Sequence, residues 1–300
     1  MSEPIKNSSR KIKGYIYIII AYAITVIISL VVVTLINFLH PILIIFLADI
    51  IATFFIFIVG SIFKNASFYD PYWSVAPAVI AIYWLYNPQT SETISLRQIF
   101  VLFLVLTWSV RLTYNWIRQW RGLNHEDWRY ANLRVEKGKL FWLVNLIGIH
   151  LMPTILVFLG CLSLYPSLSI RNISFNHIDF IAFSITLFAI ILETAADQQL
   201  YNFIKNRDDS TKILNRGLWK YSRHPNYFGE ILFWWGLYLF ALATEISFWW
   251  MIVGPIFITI LFYILSIPLI EKRNLSRKPD YLHYKKTVSK LIPWFHKKVK

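Results

Sequence analysis

Long apolar runs recur along the whole chain, separated by short segments that are polar and mostly basic. A helix that crosses a bilayer needs about 20 mostly apolar residues, and eight runs approach that length: roughly 15–36, 41–63, 71–87, 97–117, 140–164, 178–200, 227–244 and 247–269. The third and seventh hold only about 17–18 residues, so tilted or partial crossings bring the count to about eight within a range of seven to nine. This pattern predicts an all-α, polytopic transmembrane helix bundle. The N-terminal run of about 22 apolar residues exceeds a typical signal-peptide core and is read as a retained first helix.

Composition strengthens this reading. Of 300 residues, 57% are hydrophobic, mean hydropathy is +0.51 and 15% are charged, against about 25% charged in a soluble domain. The 13 Trp and 17 Tyr suit interfacial belts and apolar pockets. A net charge of +14 in a soluble chain suggests nucleic acid, but here the basic residues lie between apolar runs. With eight spans, one set of segments comprises the N-terminal arm, the loops near 64–70, 118–139 and 201–226, and the tail from 271. That set carries 27 of the 30 Lys and Arg residues. The other loops carry only Arg97 and Arg171, and Arg111 lies within the fourth span. Because cytoplasmic segments are enriched in Lys and Arg, both termini are expected in the cytoplasm. The expected setting is a bacterial inner membrane or the endoplasmic reticulum, with the lipid bilayer as partner and no nucleic acid. No internal repeat is visible. Residues 1–65 form N-terminal transmembrane helices, continuous with a membrane domain over 66–295. The single cysteine, Cys161, excludes a disulfide framework within the chain and argues against a thiolate metal site.

The polar residues that carry chemistry gather on the predicted cytoplasmic face. The segment Gly217 to Glu230 reads GLWKYSRHPNYFGE. Pro225 suits the first turn of a helix, which places unbonded N–H groups and a positive dipole end beside Arg223, His224 and Asn226. This suits a phosphate-bearing or otherwise polar cofactor, and equally a basic flank with a helix cap. Glu193 and Asp197 are four apart, on one face of the sixth span, where acids need donors. The loop His125–Tyr130 reads as an ion-pair segment. The basic tail from 271, with Tyr281, His283, Tyr284 and Lys285, reads either as a membrane-surface anchor or as a lid over an anionic ligand. Asp49, well inside the second span, is expected to be neutral or paired, and a protonated carboxyl there can donate to a substrate carbonyl. Tyr72 is a second possible donor, or a belt residue. No Walker loop, GxGxxG, HExxH or paired metal-ligand spacing is present, and no metal is expected.

RHPNYFGE, Arg223 to Glu230, followed by Trp234-Trp235-Gly236, resembles the signature of the steroid 5-alpha-reductase C-terminal-like family, many of whose members are uncharacterised integral membrane proteins. The resemblance extends to Glu193-x-x-Ala196-Asp197-Gln198, Glu126-Asp127-x-Arg129-Tyr130, Asp70-x-Tyr72-Trp73, Ile267-Pro268-Leu269-Ile270-Glu271 and Tyr281-x-x-Tyr284. It covers roughly residues 66–295. It implies a helix bundle with a cofactor pocket open to the cytosol, and NADPH-dependent reduction of a carbon–carbon double bond conjugated to a carbonyl. It also implies cofactor contacts from Glu193, Asp197, Arg223, His224, Asn226, Glu230, Arg273, Tyr281 and Tyr284. Steroid reductases often polarise the ketone with a glutamate on the second helix and a downstream tyrosine. Here the corresponding candidates are Asp49 and Tyr72.

The expected function is therefore a membrane oxidoreductase that uses NADPH on a lipophilic, steroid-like or other enone substrate. Two alternatives stand beside it. Membrane isoprenylcysteine and phospholipid methyltransferases share a similar His-Pro-x-Tyr-x-Gly run and bind S-adenosylmethionine, but usually carry paired acids where this chain has Glu271-Lys272-Arg273. A non-enzymatic membrane protein is the other.

Overall fold

A computed structural model of the chain describes residues 3–89 and 93–296. Among these residues the chain is helical, without a β-strand. The principal helices are α1 (Glu3–Leu35), α2 (Pro41–Ile62), α3 (Tyr72–Tyr86), α4 (Leu96–Gln119), α5 (Trp128–Lys137), α6 (Phe141–Val144), α7 (Met152–Cys161), α8 (Leu164–Ser169), α9 (His177–Asn206), α10 (Pro225–Thr244), α11 (Val253–Ile260), α12 (Ile267–Arg277) and α13 (Tyr281–Thr287). Seven helices among the described residues are long and apolar enough to cross a bilayer: Lys11–Leu35, Pro41–Ile62, Leu96–Gln119, Trp128–Cys161, His177–Asn206, Pro225–Thr244 and Ile246–Arg277. The protein is thus a polytopic helical membrane protein. The third predicted span, α3, is not among those seven and has 15 residues, about 22 Å of helix against a hydrocarbon core of about 30 Å.

Contacts divide the chain into two compact units. The first comprises Met1–Trp84 and Trp108–Leu162, the second Leu85–Thr107 and Ser163–Lys300, so α4 contributes to both.

In the first unit α1 packs along α2, burying Ile18, Ala21, Ala52 and Ile56 together with Phe68, Tyr69, Tyr72 and Trp120. Local chemistry fixes the helix ends. His40 caps α2 by accepting from Ile42 N, with Pro41 in the first turn. Asp127 caps α5 through Arg129 N. The loop before α5 is an ion-pair segment: Glu126 Oε1 accepts from Ala66 N at 2.8 Å and from Arg134 Nη2 at 2.6 Å. Between α6 and α7 the turns widen to a π-helix over Asn145–Leu151.

In the second unit α9 starts at a capping box made by Asn176 and Asp179, and α10 lies against it. Two glycines on one face of α10 permit that approach. A methyl group at Gly229 would lie 2.8 Å from Glu193 Cβ, and one at Gly236 would lie 3.1 Å from Thr186 Cβ. At the end of the unit away from Pro225, Arg97 binds Asp179 through Nε–Oδ1 at 2.6 Å and Nη2–Oδ2 at 2.7 Å, both side chains fully buried. The same guanidinium donates to the carbonyls of Ser174 and Ala243, joining the start of α4, the start of α9 and the end of α10. Arg171 donates to the carbonyl of Leu85. The two basic residues assigned by sequence to the outer loops are therefore absorbed by internal bonds.

Two outcomes follow. Asp179→Ala leaves the Arg97 charge buried without its carboxylate and is expected to cost about 3–5 kcal/mol, read as loss of the detergent-solubilised fold in a thermal melt, whereas Arg171→Ala is tolerated. The concentration of Lys and Arg on one set of loops requires α3 to complete an even number of crossings. Reporters fused to the two ends should then both register the cytoplasm, and opposite registrations would exclude that topology.

Candidate functional site

The sequence places the cofactor candidates at the junction of α9 and α10, and that junction is assembled from local bonds. The loop after α9 is tied back onto it, with Trp219 Nε1 donating to Ala196 O at 3.0 Å and Leu218 N to Gln199 Oε1 at 2.9 Å. The chain then turns at His224, and α10 starts with Pro225 in its first turn. Asn226 Nδ2 donates to Asp197 Oδ1 at 3.2 Å. Glu193, one turn earlier on α9, is buried against Gly229. Glu230 is buried and accepts from Trp234 Nε1 at 2.9 Å. The four residues Glu193, Asp197, Asn226 and Glu230 thus share one helix–helix seam.

A second cluster surrounds Glu271 on α12. Its Oε1 accepts from Arg223 Nε at 2.8 Å and lies 3.3 Å from His224 Nε2, and its Oε2 lies 3.1 Å from Lys285 Nζ. Arg223 Nη1 also donates to the carbonyls of Lys285 and Val288, at 2.8 and 2.5 Å. Tyr284 donates to Trp219 O at 2.5 Å, and Tyr281 packs against Tyr284. Burial pushes both phenols up, Tyr281 to about 12, so each remains a neutral donor at neutral pH. Arg223, His224, Tyr281 and Tyr284 are therefore gathered as the sequence suggests, but the Arg223 guanidinium is committed to Glu271 and main-chain carbonyls. Sequence reasoning missed Glu271 as the centre of this cluster. The signal was available: an acid at the end of an apolar span needs donors, the rule that singled out Glu193.

Arg273, half-buried on α12, belongs to a third group. The Lys278 ammonium is held below its ordinary value, first by burial and then by the positive charges of Arg207 and Arg273. Nearby, the end of α9 and the following segment enclose a polar depression lined by Asn206, Arg207, Lys212, Asn215 and Arg216 among others. This side of the unit carries an excess of positive charge. Among the described residues no group of three or more His, Cys, Asp or Glu side chains is placed to hold a metal ion.

The first unit holds the two candidates for substrate chemistry, and it brings them together. Tyr72 OH donates to Asp49 Oδ1 at 2.6 Å, both side chains buried. The pair lies in the wall of a cavity of about 650 Å³, counting its open mouth. Its other lining comes from α1, α2 and α3, chiefly Val26, Leu30, Val33, Ile45, Val75 and Ile80, with Tyr22 and Tyr83. Beneath it, Thr154 hydroxyl contacts Thr53 and Tyr69 hydroxyls at 2.8 Å each. Asp70, just before α3, accepts from Tyr130 OH at 2.9 Å.

The two units should respond oppositely to acid. Burial lowers the His224 imidazole below the ordinary histidine value, so the unfolded chain takes up a proton near about pH 6.5 and the folded chain only below it. Stability from this group is complete above that range and is lost as pH falls through it. Asp70 is pushed up to about 6 by burial, against a weaker pull from the Arg129 guanidinium. Between about pH 6 and 4 the folded chain binds a proton that the unfolded chain does not, so stability from Asp70 rises as pH falls. Hydrogen exchange corrected for its intrinsic rate should show residues 219–231 opening more at about pH 5 than at 7, and residues 66–71 less. His224→Gln should abolish the first change.

Comparison with known proteins adds a family. An uncharacterised protein of Schizosaccharomyces pombe (strain 972 / ATCC 24843) is 30% identical to this chain over 267 residues, covering 79% of the chain and 77% of that relative. No solved structure matches the chain. Residues 56–288 match the model of a family described as a protein of unknown function, DUF1295. That stretch contains every candidate named above except Asp49, and with it the chain belongs to the DUF1295 family.

Proposed function

We propose that this protein is a membrane-embedded, NADPH-dependent reductase of a carbon–carbon double bond in a lipophilic enone, of the kind the steroid 5-alpha-reductase resemblance implies. The observation that carries this reading is the Tyr72–Asp49 hydrogen bond at 2.6 Å in the wall of a mostly apolar cavity. Pockets of that composition accept lipophilic small molecules, and the few polar groups fix orientation. When Asp49 is protonated, its carboxyl donates to the Tyr72 oxygen, and the single Tyr72 hydroxyl hydrogen is free to donate to a carbonyl oxygen placed at the pair. Hydrogen bonding there withdraws electron density and makes the conjugated β-carbon electrophilic. NADPH, when bound, supplies the hydride. Addition at the β-carbon places negative charge on the carbonyl oxygen, which the Tyr72 hydroxyl stabilises, and one proton is taken up at the α-carbon to give the saturated ketone.

The residues of the second unit fit an anionic dinucleotide. Asp197 and Asn226 offer an acceptor and donors side by side at the start of α10, which suits ribose hydroxyls and amides. Arg207, Arg273 and Lys278 suit phosphate groups, since their mutual repulsion is relieved by an anion. The same positive charge opposes the sulfonium of S-adenosylmethionine, which favours the dinucleotide over the methyltransferase alternative. Glu193, Glu230, Tyr281 and Tyr284 support the walls of this site, and Arg223 and His224 hold its approach in place through Glu271.

Purified protein in detergent or nanodiscs should melt at a higher temperature with NADPH. Stabilisation is about 2.7 kcal/mol at a hundred times the dissociation constant. S-Adenosylmethionine should give no shift, and a shift with it alone would hand the site to the methyltransferase reading. Asn226→Ala and Asp197→Ala should remove the NADPH shift. Tyr72→Phe should keep it while lowering enone-dependent NADPH oxidation by about 10²–10³-fold. Equal losses of binding and turnover in that variant would refute the division of roles.

A further inference from the structure

The chain beyond α13 forms a strap across the segment that precedes α10. Arg223 N donates to Ser289 O at 2.9 Å, Trp294 N to Tyr221 O at 2.9 Å, and Ser222 Oγ to Leu291 O at 2.6 Å. The backbone is therefore fixed from Ser289 to Trp294, and with it the direction of each side chain. Three of the next large side chains face outward: Ile292, Trp294 and Phe295 are 61%, 66% and 75% exposed. Tyr221 adds a fourth, packed edge-on against Phe295 with ring centroids 6.3 Å apart. Scattered single exposures are ordinary, but a pinned row of four large apolar groups needs a covering phase.

The strap's depth is set by Lys290. Its ammonium lies 3.5 Å from the centroid of the Tyr263 ring and donates to Tyr263 O at 3.1 Å. Tyr263 belongs to the apolar helical run Ile246–Arg277 and is half-exposed, as are its neighbours Ile264 and Leu265. The strap thus runs beside a lipid-facing surface. Tyr263 lies in the second half of that run, eight residues before its first charged side chain, Glu271, and an ammonium resting on a tyrosine ring is an arrangement found in interfacial belts. Charge completes the match. From residue 285 to the end the sequence has six lysines and no Asp or Glu, and Lys220 and His296 flank the outward row, joined by a bond from His296 Nε2 to Lys220 O at 2.7 Å.

We propose that the outer edge of this strap, Tyr221 with Ile292, Trp294 and Phe295, docks into the headgroup zone of an anionic membrane leaflet. Its rings and aliphatic side chain enter the boundary of the acyl chains, and its lysines meet lipid phosphates. Because the strap supplies two main-chain carbonyls to Arg223, those of Val288 and Ser289, beside that of Lys285 in α13, docking braces the Arg223–Glu271 cluster from outside. This inference stands apart from the reductase reading.

The chain is well suited to a direct test, since Cys161 is its single cysteine and is fully buried. A Phe295→Cys substitution, labelled with an environment-sensitive fluorophore, is reconstituted into phosphatidylcholine vesicles with or without phosphatidylglycerol. The expected result is blue-shifted emission, quenching by lipids spin-labelled near the headgroup, and shielding from aqueous iodide, each stronger when anionic lipid is present. Emission that stays at its aqueous position in both vesicles, with full iodide quenching, overturns the proposal. So does shielding that depends on protein density rather than lipid composition, which assigns the edge to a second copy of this chain. Labelled protein whose melt differs from that of the unlabelled chain is replaced by the Ile292→Cys equivalent, read by the same criteria.

Discussion

The candidate cofactor site depends on how closely two helices can approach. Gly229 and Gly236 remove the side chains that would hold α10 away from α9. In hydrocarbon, association of helices gains nothing from excluding water, so close packing and small residues decide which surfaces meet. Contact at this seam turns Glu193 and Asp197 from two acids on a helix face into a wall shared with Asn226 and Glu230. It also fixes where α10 begins, and so where Arg223 and His224 stand. A side chain at either glycine would shift every one of these groups together.

Charge is handled differently at the two ends of the second unit. At one end Arg97 and Asp179 form a bidentate pair with no exposure, and the remaining guanidinium hydrogens go to carbonyls. Such a pair costs desolvation and is retained only because its geometry satisfies both partners. At the other end Glu271 faces Arg223, His224 and Lys285, three basic groups to one acid. Beyond them Arg207 and Arg273 each repel Lys278. The first arrangement is closed and structural, whereas the second has positive charge to spare.

The first unit follows the opposite logic. Its cavity is apolar except for a few groups, of which Asp49 and Tyr72 bond to each other. The Thr53, Tyr69 and Thr154 hydroxyls bond among themselves, and the Thr25 and Ser29 hydroxyls of the wall donate to carbonyls of their own helix.

Much of the architecture was legible in the amino-acid sequence, because the bilayer imposes a length and a composition on every crossing segment. The apolar runs located the cores of the seven long helices, although two of these extend into polar sequence, beginning twelve residues before 140 and ending eight after 269, and the run at 71–87 formed only the 15-residue α3; Pro225 marked the start of α10. The isolated acids Asp49, Glu193 and Asp197 could be recognised as needing partners, since an ionisable group in hydrocarbon is costly wherever the chain goes. What those partners are was not legible. The bond from Tyr72 to Asp49 joins residues 23 apart, that from Arg223 to Glu271 residues 48 apart, and that from Arg97 to Asp179 residues 82 apart. Periodicity and local propensity reach only a few residues along a helix, so pairings of this range carry no signature in a single sequence. Only the tertiary structure decided that Arg223 is committed to Glu271, that Arg97 is buried and not a loop charge, and that the C-terminal chain is a strap pinned to the start of α10. Each of these is set by which helix faces meet, a choice made by packing across the whole unit.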